Sequence, residues 1–219
     1  MFLIYYQIKI CDINAEVHMK KTIKLIQKIL EDSILLNNEA SIIVSGGGSP
    51  INLLRALDSS DLEWNKVKIM LLDERLIDVT NINSNEKNLR DNFFKIFSMS
   101  AHYQSIRNLE INDNIDIAIL GFGLDGHFAS IFPCHLKDKK FIDLKSKPEI
   151  LKTDAMGDPH LPRLTMNLSA FNRVKNIFII INSHEKLKVI EDAKYNDALP
   201  IHYLLHLKET NIKFISDFE

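Results

Sequence analysis

The stretch IDIAILGFGLDGHFASIFP, residues Ile115–Pro133, gives the clearest indication of the fold of this chain. Its first part is almost wholly apolar and does not alternate, which is typical of a strand in a parallel sheet that is buried on both faces. Gly121 and Gly123 then allow the backbone to turn, and Asp125 and His127 follow two residues apart. An acid and an imidazole on a glycine turn, directly after a buried strand, indicate a functional loop at the edge of a sheet.

Short apolar runs and helical periodicities alternate along the chain. The predicted strands span residues 2–10, 41–44, 66–74, 115–122, 175–182 and 211–218. The predicted helices span residues 14–37, 51–57, 84–97, 183–195 and 200–207, and residues 134–165 are predicted to be irregular. This alternation is typical of an α/β fold in three layers, with helices on both faces of a mostly parallel sheet. Without a repeat or a linker, residues 1–219 are predicted to form a single domain.

Composition and charge argue against several classes of protein. The formal net charge is −2 and the basic residues are scattered, so we expect neither nucleic acid nor an acidic membrane as a partner. The apolar N-terminus lacks the basic start of a signal peptide, and no run approaches the roughly 20 apolar residues of a membrane span. The two cysteines, Cys11 and Cys134, are far apart, which favours reduced thiols and a cytoplasmic protein.

Six of the seven glycines fall in two clusters, and one cluster follows the second predicted strand. In the sequence SGGGSP, Gly46, Gly47 and Gly48 lead to Ser49, the expected N-cap of the next helix, with Pro50 at its first position. Free amides and the positive end of a helix favour an anion such as phosphate, although a tight turn explains the same residues. This loop matches neither GxxxxGK[ST] nor GxGxxG, so it does not indicate a nucleotide.

Charged residues follow two other predicted strands. Asp73 and Arg75 stand in the sequence DER after a buried apolar run, where charges are costly unless they are paired or bind a ligand. Arg75 is suited to bidentate binding of phosphate or carboxylate, and a local ion pair is the alternative. Lys186 lies in the first turn of a helix that Ser183 is expected to cap, where a cation is unfavourable unless an anion binds beside it. A solvated lysine is the alternative there.

His127 is the candidate general base. An imidazole titrates near neutral pH, and the carboxylate of Asp125 would fix its tautomer, whereas the alternative is a structural or solvated histidine. His202 and His206 are four residues apart, but the acid of HExxH is absent, and a structural role is favoured over a metal site. The absence of GxSxG argues against a nucleophilic serine.

Taken in order, these motifs resemble those of the glucosamine-6-phosphate isomerase/6-phosphogluconolactonase family over about residues 45–205. SGGGSP is similar to its first loop, LLDER with Ser84-Asn85 to its second motif, and LGFGLDGHFASIFP to its LGxGxDGHxASLFP signature. PHLPRLT is similar to its PxxRIT segment, which places Arg163, and NSHEK to its GxxK segment, with Asn182 in place of glycine. The resemblance implies a modified Rossmann-like fold of the isomerase/deaminase type.

Two features separate the branches of this family. The isomerase/deaminase relatives share DGH but continue toward Asn-Glu-Pro, whereas this chain continues with ASIFP, and they tend to have tyrosine at the position of Arg75. Both features favour the lactonase branch, which hydrolyses 6-phospho-D-glucono-1,5-lactone to 6-phosphogluconate in the oxidative pentose phosphate pathway. A glucosamine-6-phosphate isomerase/deaminase and a non-catalytic sugar-phosphate-binding module remain the alternatives.

The resemblance also implies roles for the candidate residues. His127 is expected to activate water without a metal or another cofactor, and Asp125 to orient the imidazole or the water. The expected substrate-binding residues are Gly46, Gly47, Gly48, Ser49, Asp73, Arg75, Arg163 and Lys186. The expected partner is a small sugar phosphate, bound by a cytoplasmic carboxylic ester hydrolase that is a monomer or a weak homodimer.

Overall fold

A computed structural model of the chain describes residues 15–96 and 98–216. The strands within these ranges are β1 (Ala40–Val44), β2 (Val67–Leu71), β3 (Asp73–Arg75), β4 (His102–Gln104), β5 (Ile115–Leu120), β6 (Ile150–Met156), β7 (Leu161–Met166), β8 (Val174–Ile181) and β9 (Asn211–Ser216). The α-helices are α1 (Ala15–Asn37), α2 (Ile51–Asp58), α3 (Asn85–Asn92), α4 (Lys139–Ile142), α5 (Leu168–Phe171), α6 (His184–Ala193) and α7 (Pro200–Leu205). Short 3₁₀ helices span Trp64–Lys66, Ser98–Ser100, Ile106–Asn108 and Pro133–Lys137. The strand predicted at residues 2–10 lies outside the described residues, and none of the helices described is long and apolar enough to cross a membrane.

Six strands form a parallel sheet in the order β4-β2-β1-β5-β8-β9, which confirms the predicted sheet type. From β1 the chain proceeds to β2 on one side, and β5 pairs with β1 on the other side. The strand order therefore reverses between β1 and β5, where the loops at their carboxyl ends diverge. In open α/β sheets such a crevice is the usual place for a ligand.

Residues of the central strand β5 face two apolar layers in turn. Ile117 and Ile119 pack in a cluster with residues of α1, α2 and α3, whereas Ala118 and Leu120 pack in a second cluster with residues of α5, α6 and α7. Both faces of β5 are covered, and all of its residues are buried. This explains why apolar and polar residues do not alternate in its sequence. The predicted helices on both faces are thus confirmed, and each fully buried aliphatic side chain contributes roughly 1.5–3 kcal/mol to the core.

Residues 134–165 are not irregular, and that prediction was wrong. β6 and β7 form an antiparallel hairpin, and β3 pairs with β7, so these strands make a second sheet of three strands in the order β3-β7-β6. The strand predicted at residues 66–74 is divided, since β2 stays in the parallel sheet and β3 crosses to the second one. β6 is half-exposed, with Lys152 and Asp154 at exposed positions, and its sheet includes β3 from far earlier in the chain, so no local pattern indicated it.

The start of α2 also differs from the prediction. Pro50 occupies the N-cap with φ −86° and ψ −3°, the helix begins at Ile51, and no side chain caps it. Ser49 therefore does not act as the N-cap. Its Oγ instead accepts a hydrogen bond of 3.2 Å from the Nζ of Lys186, which joins the glycine loop to the start of α6.

Candidate active site

One cleft of about 250 Å³ lies at the carboxyl ends of the central strands, where the strand order reverses. The predicted site residues that line it are Gly47, Ser49, Asp73, Arg75, His127 and Arg163. The others adjoin it: Lys186 contacts Ser49, Asp125 contacts His127, and Gly46 and Gly48 flank Gly47 in its loop. The structure therefore brings together candidates from four separate motifs.

A larger cleft of about 420 Å³ lies at the opposite end of the sheet, around the buried carboxylate of Asp116. That carboxylate accepts hydrogen bonds from the backbone N–H and Oγ of Ser41, at 2.8 and 3.1 Å, and from the Nζ of Lys175 at 2.8 Å. These contacts join β1, β5 and β8 and satisfy the charge. Because Asp116 is fully engaged and lies at the amino ends of the strands, we place the candidate active site at the other end.

The Asp125–His127 pair is built by a tight loop after β5. Nδ1 of His127 lies 2.5 Å from Oδ1 of Asp125, and the backbone N–H of Gly123 donates to the carbonyl of His127 at 2.8 Å. A Cβ added to Gly123 would lie 2.2 Å from Nδ1 of His127 and 2.5 Å from Oδ1 of Asp125. Only glycine permits this close packing, so the glycine in the motif is required for the contact between acid and imidazole.

The electrostatics of this pair suit a general base. Burial opposes ionisation of Asp125, but the hydrogen bonds and charge of His127 outweigh it and lower the pKa of Asp125. The ionised carboxylate accepts from Nδ1–H, which leaves Nε2 of His127 as the acceptor for a proton. The imidazole stacks on Phe132 with ring centroids 4.4 Å apart, and its side chain is 31% exposed, so a water molecule can reach it.

Two arginines lie side by side on the second sheet. The register of β3 and β7 pairs Arg75 with Arg163. Nη1 of Arg75 donates to the carbonyl of Asn83 at 2.8 Å, while its Nε is buried without a hydrogen-bond partner. Arg163 donates to the carbonyls of Met156 and Pro159 at 3.2 and 3.0 Å, and burial together with the charge of Arg75 lowers its pKa. Paired guanidinium groups of this kind are suited to a dianion such as phosphate.

Lys186 adds a third cation beside the glycine loop. Its Nζ contacts the hydroxyl of Ser49 and lies 5.3 Å from the centre of the Phe122 ring. Burial lowers the pKa of Lys186, as expected for an ammonium group removed from water. Oγ of Ser183 accepts from the backbone N–H of Lys186 at 3.3 Å, which confirms Ser183 as the cap and Lys186 as a residue of the first turn.

The two acids of the DER sequence have different environments. Both oxygens of Asp73 are engaged, Oδ1 by Nδ2 of Asn85 at 3.1 Å and Oδ2 by Oγ of Ser130 at 2.6 Å. The carboxylate of Glu74 accepts from backbone N–H groups at the start of α3 and from the hydroxyl of Ser84, the N-cap of that helix. Glu74 therefore holds α3 in place, whereas Asp73 lines the cleft.

Several cleft residues were not among the sequence candidates. Asn85, Phe132 and Asp158 line the cleft together with the predicted residues. Phe132 stands in the ASIFP sequence, which was used only to separate the branches of the family, and Asp158 belongs to the segment predicted to be irregular. Asn85 belongs to a recognised motif, but no local signal brings it to Asp73, so only the tertiary structure reveals this contact.

His202 and His206 make hydrogen bonds to backbone carbonyls of α6 and α7. Nδ1 of His202 bonds to the carbonyl of Ala193 at 2.8 Å, and Nδ1 of His206 bonds to the carbonyl of His202 at 2.7 Å. Across residues 15–96 and 98–216, no group of three His, Cys, Asp or Glu side chains is arranged to hold a metal ion.

Comparison with known proteins identifies relatives of similar length. The model of a family described as glucosamine-6-phosphate isomerases/6-phosphogluconolactonase matches residues 14–213. A 6-phosphogluconolactonase of Helicobacter pylori is 32% identical over 213 residues, which cover 90% of this chain and 92% of that protein. The crystal structure of 6-phosphogluconolactonase from Thermotoga maritima has a TM-score of 0.75 at 26% identity, over 91% of this chain and 95% of that chain. That of a 6-phosphogluconolactonase from Shewanella baltica has a TM-score of 0.83 over 94% and 95%, and at 22% identity it supports the fold alone.

Proposed function

The chain belongs to the glucosamine-6-phosphate isomerase/6-phosphogluconolactonase family, and we propose that it hydrolyses 6-phospho-D-glucono-1,5-lactone to 6-phosphogluconate. One observation carries the proposal: a single cleft combines the Asp125–His127 pair with the paired cations Arg75 and Arg163. The first pair suits attack by water on an activated ester, and the second suits a phosphate. The relatives named 6-phosphogluconolactonase favour this reaction over the deaminase alternative.

The proposed chemical step is general-base hydrolysis. Nε2 of His127 removes a proton from water as the water oxygen attacks C1 of the lactone. The C1–O5 bond then breaks, and the imidazolium returns the proton to O5, so that the products are the open-chain acid and the free histidine. Asp125 keeps the Nδ1 proton in place and stabilises the imidazolium. General acid–base catalysis of this kind contributes about 10²–10⁴-fold.

Negative charge on the carbonyl oxygen requires hydrogen-bond donors during the attack. The N–H groups of Gly121 and Gly123 already donate, to Oγ of Ser45 at 3.2 Å and to the carbonyl of His127 at 2.8 Å. We therefore assign the donor role to the backbone N–H groups of the glycine loop, residues 46–48.

The phosphate is assigned to the cationic side of the cleft. Arg75, Arg163 and Lys186 supply the positive charge, and Asp73 accepts from a sugar hydroxyl. Because the phosphate lies far from C1, its binding energy serves to position the carbonyl in front of His127.

The direct test is a rapid lactonase assay on the purified chain. The lactone is generated in place, the spontaneous hydrolysis rate is subtracted, and 6-phosphogluconate is measured. Ammonia release from glucosamine-6-phosphate would instead establish the isomerase/deaminase. Binding of 6-phosphogluconate without turnover of either substrate would establish a non-catalytic module.

The same proposal includes the cellular setting of the enzyme. We propose a cytoplasmic enzyme that is a monomer or a weak homodimer, with residues 1–219 in one domain. Light scattering over a range of concentrations tests the oligomeric state, and a single cooperative unfolding transition would support one domain.

A further inference from the structure

Two buried polar atoms at the cleft have no hydrogen-bond partner. Over residues 15–96 and 98–216, the unpartnered buried side-chain atoms include Nε of Arg75 and Oδ1 of Asn85, and both residues line the cleft. Buried polar groups in folded proteins are nearly always paired, so each exception requires a physical explanation. A phosphate on the cationic side accounts for the arginine, but it does not account for an amide oxygen, which is an acceptor.

The orientation of the Asn85 amide is fixed by its other contacts. Its Nδ2 donates to the backbone carbonyl of Asp73 at 3.0 Å and to Oδ1 of Asp73 at 3.1 Å. Both partners are acceptors, so the nitrogen must face them and the amide cannot be turned over without loss of both bonds. The side chain is 1% exposed, and its oxygen is therefore held as an acceptor that needs a donor.

We propose that Asn85 is a specificity residue whose Oδ1 accepts a hydrogen bond from one ring hydroxyl of the sugar-phosphate lactone. This inference rests on the proposed function. The lining of the cleft includes donors suited to a dianion, Arg75 and Arg163, and it also includes the oxygen atoms of Asp73 and Asn85, which can accept from a polyol. A buried group that is satisfied only by the correct hydroxyl discriminates strongly against an analogue that lacks it.

The glycine loop packs against the Asn85 side chain. Gly46 packs directly on Asn85, since a Cβ added to Gly46 would lie 2.2 Å from the Cβ of Asn85. A Cβ added to Gly47 or Gly48 would have no atom within 4 Å, so only the Gly46 end of the loop is packed closely in this way. The proposal requires that the incoming sugar shifts this loop so that its hydroxyl reaches Oδ1. Recognition of the hydroxyl is thereby coupled to the loop that supplies the backbone donors.

The test compares four lactones: the parent compound and the analogues that lack the hydroxyl at C2, C3 or C4. For the wild type, kcat/KM is expected to fall at least about tenfold with one of the three analogues. In Asn85→Ala this particular loss disappears, while the ratios for the other two analogues stay as in the wild type. Asn85→Asp retains an acceptor and is expected to keep the discrimination, although its charge beside Asp73 slows all four reactions.

The matched control is Asn88→Ala, in the same helix. Nδ2 of Asn88 donates to the carbonyl of Gly46, so its removal disturbs the same loop without touching the proposed acceptor. It is expected to change kcat/KM by one common factor for all four lactones.

Three results would overturn or redirect the inference. A common factor for all four lactones in Asn85→Ala would make Asn85 a structural residue. A wild-type enzyme that treats all four lactones alike would overturn the inference without any variant, even if the variants do not fold. Failure of the wild type to hydrolyse the parent lactone would instead count against the proposed function. In that case, the role of Asn85 is tested by calorimetric binding of 6-phosphogluconate and its three deoxy analogues to the wild type and to Asn85→Ala.

Discussion

The Asp125–His127 loop and the Arg75–Arg163 pair reach the same cleft by different routes. In the loop, acid and base are two residues apart and meet through a tight turn. The two arginines stand on strands from distant parts of the chain and meet only because β3 leaves the parallel sheet and pairs with β7. A catalytic pair that is formed by local contacts can be recognised in the sequence. A binding pair that is formed by strand pairing can be recognised only when the fold is known.

The two regions also differ in their dependence on the core. The side chains of His127 and Asp125 are 31% and 47% exposed, so changes there are expected to alter reactivity without unfolding the chain. Arg163 is only 3% exposed and holds the hairpin through two backbone carbonyls. Substitution of Arg163 is therefore expected to affect both phosphate binding and the stability of the fold, whereas substitution of His127 or Asp125 is expected to affect mainly reactivity.

The largest expected effect is on the histidine side. His127→Ala removes the general base and is expected to lower kcat about 10²–10⁴-fold, with little change in binding of 6-phosphogluconate or in the melting temperature. Stopped-flow lactone hydrolysis and calorimetry measure the two quantities. His102→Ala, on an exposed position of edge strand β4, is the matched control. An unchanged kcat in the first variant would remove His127 from the mechanism.

A second effect tests the arginine side. Arg75→Ala removes a charged donor to the phosphate, and the loss of about 1.5–3 kcal/mol is expected to raise KM roughly 10–100-fold while kcat changes less. Arg55→Ala is the control, since Arg55 is exposed on α2 and bonds only to Asn92 among the hydrogen bonds described for its side chain. A KM equal to that of the wild type would place the phosphate elsewhere.

The features that could be predicted from the sequence are the local ones. The parallel sheet, its helices and the DGH loop were predicted because apolar runs, helical periodicity and a two-residue spacing are local signals. The β6–β7 hairpin was missed because its pairing is distant and its exposed face is polar. The cap assigned to Ser49 was wrong because Lys186, which engages its hydroxyl, comes from another part of the chain. Asn85 was overlooked as a site residue for the same reason.

Gly46 and Gly47 of the first glycine loop differ in the space around them. Gly46→Ala places a Cβ 2.2 Å from Asn85 at the start of α3, whereas Gly47→Ala places it in open space. Overpacking is expected to destabilise the first variant by about 1–3 kcal/mol in urea unfolding, with a smaller change in the second. Equal stabilities would show that the loop yields freely, and would weaken its proposed role in covering the Asn85 oxygen.

The smallest expected effect concerns the pH dependence of stability on the histidine side. The bonds between Asp125 and His127 hold the pKa of Asp125 in the folded chain below its value in the unfolded chain. The ionised Asp125 therefore stabilises the fold above the unfolded pKa, about 3.9, and this contribution is lost as the pH falls through the folded pKa. Solvent screening keeps the contribution small, since the side chain is nearly half exposed. The melting temperature of Asp125→Asn should therefore lie slightly below that of the wild type at pH 7, and the gap should close below about pH 4. Asp113→Asn, at the opposite end of the sheet, reports the effect of an ordinary exposed substitution. A gap that stays constant into acid would mean that the Asp125–His127 pair contributes to reactivity and not to stability, in contrast to the buried Arg163.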